Sequence, residues 1–76
     1  MADRPPAREV VRAAVAAHLD LPASDDDELD LTSLAVIALA EELEVREGFV
    51  VAARELLPEN FGTVAALVAF VERKRR

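Results

Sequence analysis

Residues 33–48 read SLAVIALAEELEVREG and predict the second main helix of the chain. Apolar residues recur at spacings of three and four through Leu34, Ile37 and Ala38, and Leu39 and Leu43 extend the apolar stripe. This periodicity is typical of an amphipathic helix, which we expect over about 33–46.

Both ends of this helix carry capping residues. Thr32 or Ser33 can accept a hydrogen bond from a backbone N–H of the first turn, and Gly48 suits the left-handed conformation that ends a helix. The outer side is expected to be strongly acidic, because four glutamates fall there. They are Glu41, Glu42, Glu44 and Glu47.

The chain before this helix predicts another helix and a long loop. A helix is expected over about 5–19, because two prolines suit its first turn and apolar residues recur with helical spacing up to Leu19. Residues 20–32 break that period with proline, serine and a run of acids. Three leucines of this loop are spaced to reach a core: Leu21, Leu29 and Leu31.

The chain after residue 48 predicts two further helical segments. Residues 49–51 are expected to be coil, and 51–56 can form a short helical turn. Pro58 and Gly62 can open and close one helical turn that Phe61 anchors in the core. Thr63 then caps a last helix, whose apolar stripe comprises Val64, Leu67, Val68 and Val71.

Three main helices and one short helix predict an all-α fold, a small four-helix bundle. Seventy-six residues allow one domain over 1–76. Its core is expected over about 5–72, followed by a solvated basic tail over 73–76. The chain has no Cys and a single His, which excludes disulfides and the usual His/Cys metal clusters.

The charge of the chain bears on its partners and location. Nine Lys/Arg against fifteen Asp/Glu give a net charge of −6, the wrong sign for a nucleic-acid-binding protein. Residues 20–47 hold ten acids and one base, so a partner of this region should be basic. Without a signal segment or a membrane span, we expect a cytoplasmic protein, monomeric because of its small size and high charge.

Two short motifs carry a resemblance to a known family. Residues 30–34 read DLTSL directly before the acidic helix, and residues 58–64 read PENFGTV. Together they resemble the acyl and peptidyl carrier proteins, in particular the discrete bacterial carriers of specialised metabolism. The resemblance implies a four-helix bundle in which Ser33 is esterified to phosphopantetheine, whose thiol carries acyl or aminoacyl groups as thioesters. The carrier itself catalyses nothing.

The resemblance also implies partners and a docking face. A phosphopantetheinyl transferase would modify Ser33. Acyl or aminoacyl ligases, ketosynthases, acyltransferases or condensation enzymes of polyketide or nonribosomal peptide biosynthesis would dock through basic patches. The four glutamates are similar to the docking face of carriers, and Val36 falls among the outward positions, where an exposed apolar residue would act as a docking hot spot. Thr32 departs from the family, which usually has Asp before the modified Ser.

Other interpretations of the same residues stay open. An acidic helical module could bind a basic partner without any prosthetic group, and Thr32 in place of Asp favours this alternative. His18 has no Ser or Cys placed to pair with it, so the sequence indicates no catalytic triad. The acids from Asp25 to Glu28 lack the ligand spacing and the central glycine of an EF-hand and are expected to form a solvated loop.

Overall fold

Four α-helices and one short 3-10 turn follow one another in the computed structural model, which describes residues 4–76. They are α1 (Ala7–His18), α2 (Ser33–Glu47), the 3-10 turn (Ala53–Glu55), α3 (Pro58–Phe61) and α4 (Val64–Arg75). This confirms a small all-α protein with three main helices and a short one. Residues 1–3, part of the domain predicted over 1–76, lie outside the described residues.

Helix α1 packs against both α2 and α4 and therefore lies at the centre of the bundle. Val11, Ala14 and Val15 have no exposed surface, as their spacing of three and four predicts. They face Leu39 and Leu43 of α2 within a single buried cluster. Apolar burial on this central helix is the main stabilising contribution that these contacts can supply.

All three phenylalanines meet at one place and hold the second half of the chain together. The ring centroids of Phe61 and Phe70 lie 5.5 Å apart, and Phe49 contacts Phe70 edge-on at 6.2 Å. Such tilted and edge-on pairs stabilise beyond the area they bury. Phe61 thus anchors α3 on α4, as the sequence predicts, and Phe49 fixes the connector that follows α2.

The loop between α1 and α2 is anchored rather than simply solvated. Its Asp25 carboxylate accepts hydrogen bonds from Arg8 at 2.6 Å and from Arg12 at 2.9 Å. The backbone carbonyl of Asp25 accepts a further bond from the N–H of Ala65 at 2.9 Å. The hydrogen bonds from Arg8 and Arg12 lower the pKa of the Asp25 carboxyl below its ordinary value. Asp25 therefore corrects the expectation that the whole acid run is solvated.

Of the three loop leucines expected in the core, two reach it. Leu29 and Leu31 are half-buried and pack against the core cluster, and the N–H of Leu29 donates to the carbonyl of Gly62 at 2.7 Å. Leu21 is 40% exposed, so its prediction is wrong. Leu21 lies before the anchored part of the loop. Its backbone makes no hydrogen bond to another element that would hold it against the core.

The basic C-terminus also differs from expectation. Helix α4 continues to Arg75, and the side chains of this segment bond to neighbouring elements. Arg75 donates to both carboxylate oxygens of Glu47 at 2.7 Å and to the carbonyl of Pro5 at 2.8 Å. Lys74 donates to Glu55 at 3.0 Å. Arg73 donates to the amide oxygen of Asn60 at 2.8 Å. Residues 73–75 are thus part of the bundle because distant side chains bond to them, and not a solvated tail.

The two ends of α2 are as predicted, with a cap at each. Gly48 has φ 77°, the left-handed conformation, and its N–H closes the helix on the carbonyl of Glu44. Within 4–76, no helix combines the length and the apolar character needed to cross a bilayer.

Replacing Asp25 with alanine should lower the thermal unfolding midpoint more than replacing its exposed neighbour Asp26. Asp25→Ala removes the acceptor of Arg8 and Arg12 and frees the loop from α1. The Asp26 side chain is exposed and is the matched control. Circular dichroism melts of the two variants measure the difference, and equal midpoints would contradict the anchoring role of Asp25.

Candidate functional site

Ser33 is the first residue of α2, and it is exposed. The sequence left open whether Thr32 or Ser33 caps this helix. In the structure Thr32 caps the helix: its Oγ1 accepts a hydrogen bond from the N–H of Ala35 at 3.1 Å. The hydroxyl of Ser33 is therefore not needed for capping and is accessible from solvent.

The first turn of α2 offers backbone donors to an anion. The first intrahelical bond runs from the N–H of Val36 to the carbonyl of Thr32 at 3.0 Å. The N–H groups of Ser33 and Leu34 precede it and have no partner within the helix. These groups and the positive end of the helix dipole favour a negatively charged group at this position.

An apolar cleft of about 200 Å³ opens between the loop, α2 and α3. Two of its lining residues flank Ser33 in the chain, Leu31 on one side and Val36 on the other. The lining contains no ionisable side chain and consists of Leu29, Leu31, Val36, Leu56, Leu57, Pro58, Phe61 and Gly62. A cleft of this composition suits an apolar group, and an apolar cavity of about 150 Å³ is known to hold a ligand as large as benzene.

Val36 is not the exposed apolar residue that the sequence predicted. It is half-buried, packs against the core and lines the apolar cleft. The exposed apolar residues of this helix are instead Leu34 at 79%, Ile37 at 46% and Val45 at 82%. The helix is rotated relative to the predicted stripe, because Leu39, Ala40 and Leu43 form its buried side.

Two of the four glutamates predicted on the outer face make internal bonds. Glu47 has a side chain only 1% exposed and is held by Arg75. Glu44 accepts a hydrogen bond from the N–H of Val51 at 2.7 Å and so fixes the connector after α2. Glu47 is therefore not available to a docking partner, whereas Glu44 is half-buried and has one carboxylate oxygen bonded within the chain.

The other two glutamates lie nearer to solvent. Glu42 accepts hydrogen bonds from His18 at 3.1 Å and from Arg46 at 2.7 Å. These two hydrogen bonds lower the pKa of Glu42 below its ordinary value. Glu41 is exposed. The predicted acidic face therefore divides into one exposed carboxylate, one paired carboxylate and two structural ones.

The residues that the sequence interpretation missed are the exposed apolar ones. The sequence pattern places Leu34 and Ile37 in the buried stripe. Glu41 follows Ile37 by four residues and therefore lies on the same side of the helix. That glutamate was the available signal, since a charged residue rarely shares a buried stripe. Val45, four residues after Glu41, belongs to the same exposed side.

No protein-family model matches the chain, and no curated protein or solved structure matches it. Residues 4–76 hold no cluster of three or more His, Asp or Glu side chains suited to a metal ion.

Single substitutions of Thr32 and Ser33 test which of the two residues stabilises the start of α2. Thr32→Ala should lower the free energy of unfolding by about 1 kcal/mol, because it removes the hydrogen bond to the N–H of Ala35. Ser33→Ala should leave it nearly unchanged. Urea unfolding of both variants is the measurement, and a larger loss for Ser33→Ala would show that Ser33 and not Thr32 holds the helix start.

The bond between Glu47 and Arg75 should make stability depend on pH. The Arg75 hydrogen bond lowers the pKa of Glu47 from its ordinary value of 4.5. A carboxyl with a lowered pKa in the folded state stabilises the fold above 4.5, and this contribution is lost as the pH falls through the folded-state pKa.

We therefore expect Glu47→Gln to destabilise the protein near neutral pH, with a difference from the unmodified chain that shrinks as the pH falls below 4.5. Urea unfolding of both proteins across this pH range measures that difference. Glu41→Gln, on the exposed side, is the matched control and should change stability little near neutral pH. A Glu47→Gln difference that stays constant with pH would contradict a stabilising ion pair.

Proposed function

We propose that the chain is a free-standing carrier protein whose Ser33 bears phosphopantetheine and tethers acyl or aminoacyl intermediates. The observation that carries this proposal is the exposed Ser33 hydroxyl at the start of α2, next to a Thr32 that already caps the helix. A serine needed only for local structure would make the capping bond itself. The motifs around residues 30–34 and 58–64 support the same proposal.

The residues at the start of α2 fit a phosphodiester linkage. Ser33 Oγ is the nucleophile: it forms the phosphodiester as the phosphoanhydride of coenzyme A breaks and the adenosine bisphosphate half leaves. The first-turn N–H groups would stabilise the negative charge of the phosphodiester. When bound, phosphopantetheine supplies a thiol that carries intermediates as thioesters.

The apolar cleft between the loop, α2 and α3 supports the proposal in a second way. Leu31 and Val36 place its walls close in sequence to the attachment point. An apolar part of the arm or of its cargo could lie in this cleft rather than in water, which is favourable in proportion to the apolar area buried. Tethering would raise the effective concentration of the intermediate at a bound enzyme.

The proposed partners are a phosphopantetheinyl transferase and the ligases, ketosynthases, acyltransferases or condensation enzymes of polyketide or nonribosomal peptide biosynthesis. The alternative, an interaction module without a prosthetic group, is favoured by Thr32 in place of Asp and by the exposed apolar residues of α2. The two functions differ in what Ser33 does. The carrier requires its hydroxyl, whereas the module should bind its partner equally well without it.

Incubation with coenzyme A, magnesium and a broad-specificity phosphopantetheinyl transferase should add one phosphopantetheine to the chain. Intact mass before and after incubation measures the gain, and peptide mapping should locate it on Ser33. Ser33→Ala should abolish the gain. Ser24→Ala is the matched control, because Ser24 is the only other serine and is also exposed.

The same assay tests the effect of Thr32, which stands where carrier proteins usually have Asp. Thr32→Asp restores the family's residue and retains a capping oxygen, so the rate of modification should rise while the fold is kept. No mass gain for a folded chain or for Thr32→Asp, with several transferases, would overturn the carrier function.

A further inference from the structure

Lys74 is the one lysine of the chain, and the other eight basic residues are arginines. A lysine amine can attack an acyl group and form an amide, and lysine is accordingly a target of acetylation in proteins. The guanidinium group of arginine stays protonated and does not react in this way. The chain also has no Cys and no Tyr. Among its side chains, the Lys74 amine is therefore the strongest potential acceptor of an acyl group.

A carboxylate holds the amine of Lys74. The Lys74 Nζ donates hydrogen bonds to both carboxylate oxygens of Glu55, at 3.0 and 3.1 Å. One of these oxygens also accepts a bond from the N–H of Ala52 at 2.8 Å, which fixes the carboxylate. The hydrogen bonds from Ala52 and Lys74 lower the pKa of Glu55 below its ordinary value. Glu55 is therefore ionised near neutral pH and attracts the ammonium ion.

Two aromatic rings flank the same amine. The Lys74 Nζ lies 5.6 Å from the centroid of the Phe49 ring and 5.8 Å from that of the Phe70 ring. A cation at such distances is attracted to the electron-rich face of a ring. Only 24% of the Lys74 side chain is exposed, although lysine is normally among the most exposed residues. We call Glu55, Phe49 and Phe70 the Lys74 cage.

The cage opposes any reaction at the Lys74 amine. An attack on a carbonyl carbon needs the lone pair of Nζ, so the ammonium ion first has to lose a proton and turn away from Glu55. Both steps give up the ion pair and the two cation–π contacts. The cage therefore keeps the amine in its unreactive, bonded form, and Glu55 acts as the positioning residue.

We propose that the Lys74 cage protects the chain from acylation by the activated acyl groups that it carries. The inference rests on the carrier function proposed above, in which an acid is held as a thioester. An attack by Nζ on that thioester would form a C–N bond and break the C–S bond, and the thiol of the arm would leave as the amine lost a proton. The resulting amide does not pass its acid on as a thioester does. The cage thus keeps the cargo transferable.

A second amine on the surface of the same molecule gives an internal reference. Arg54 is exposed, so Arg54→Lys places a free amine there. The full chain is treated with N-hydroxysuccinimidyl acetate, which acetylates free amines, and peptide mapping by mass spectrometry follows positions 54 and 74 over time. Lys74 should be acetylated about tenfold more slowly than the amine at position 54, because the ion pair and the two ring contacts have to be given up first.

A pair of glutamates tests the role of the carboxylate. Glu55→Gln removes the charge and retains an oxygen that can accept a hydrogen bond. It should raise the rate of Lys74 acetylation about fivefold, because the ion pair is lost. Glu59→Gln, at an exposed position of α3, is the matched control and should leave that rate unchanged. Circular dichroism melts check that both variants are folded at the reaction temperature.

Equal acetylation rates at positions 54 and 74 would overturn the proposal, whether or not Glu55→Gln folds. Equal Lys74 rates in Glu55→Gln and Glu59→Gln would also overturn it. These rates are measured without phosphopantetheine, and Ser33→Ala should not change them, so a failure of the cage is distinguished from a failure of the carrier function.

The chain loaded with an acetyl thioester tests the connection between the cage and the cargo. Glu55→Gln should convert the thioester into an amide at Lys74 about fivefold faster than the chain with Glu55 does. Peptide mapping measures the amide, and the same rate in both loaded chains would contradict a protective role toward the cargo.

Discussion

Asp25 connects three parts of the chain, and the position of α2 depends on that connection. Its carboxylate bonds to Arg8 and Arg12 of α1, and its carbonyl accepts a bond from the N–H of Ala65 at the start of α4. The loop is therefore held against α1 and α4 at Asp25, before the chain reaches Thr32 and Ser33 at the start of α2. A solvated loop of this length would leave the start of α2 mobile and would make a fixed site there entropically expensive.

The start of α2 divides two tasks between adjacent residues. Thr32 makes the structural hydrogen bond, and Ser33 keeps an exposed hydroxyl among backbone donors. The apolar cleft lined by Leu31 and Val36 adds a place for a non-polar group close to that hydroxyl in the chain. An exposed serine that makes no capping bond can be modified without loss of the fold, as the proposed carrier function requires.

The spacing of apolar residues and the capping residues predicted the helices. They could not predict which side chains from distant parts of the chain bond to one another. The two ends of α2, with the left-handed Gly48, follow from spacing and capping. The spacing also predicts α1, but this helix begins at Ala7, so the two prolines precede it instead of forming its first turn. The role of Glu47 depends on Arg75, 28 residues away, and no local pattern contains that pairing. The face of α2 was misassigned for a related reason: its apolar residues lie on two sides, so periodicity alone could not decide which side meets α1.

The most direct test of the central claim is the state of Ser33 in the protein as its own cells make it. Mass spectrometry of the native chain should find phosphopantetheine in phosphodiester linkage on the peptide that contains Ser33, and part of that population should carry a thioester-bound acid. An unmodified Ser33 in cells that express both the chain and an active transferase would contradict the account and would favour an interaction module without a prosthetic group.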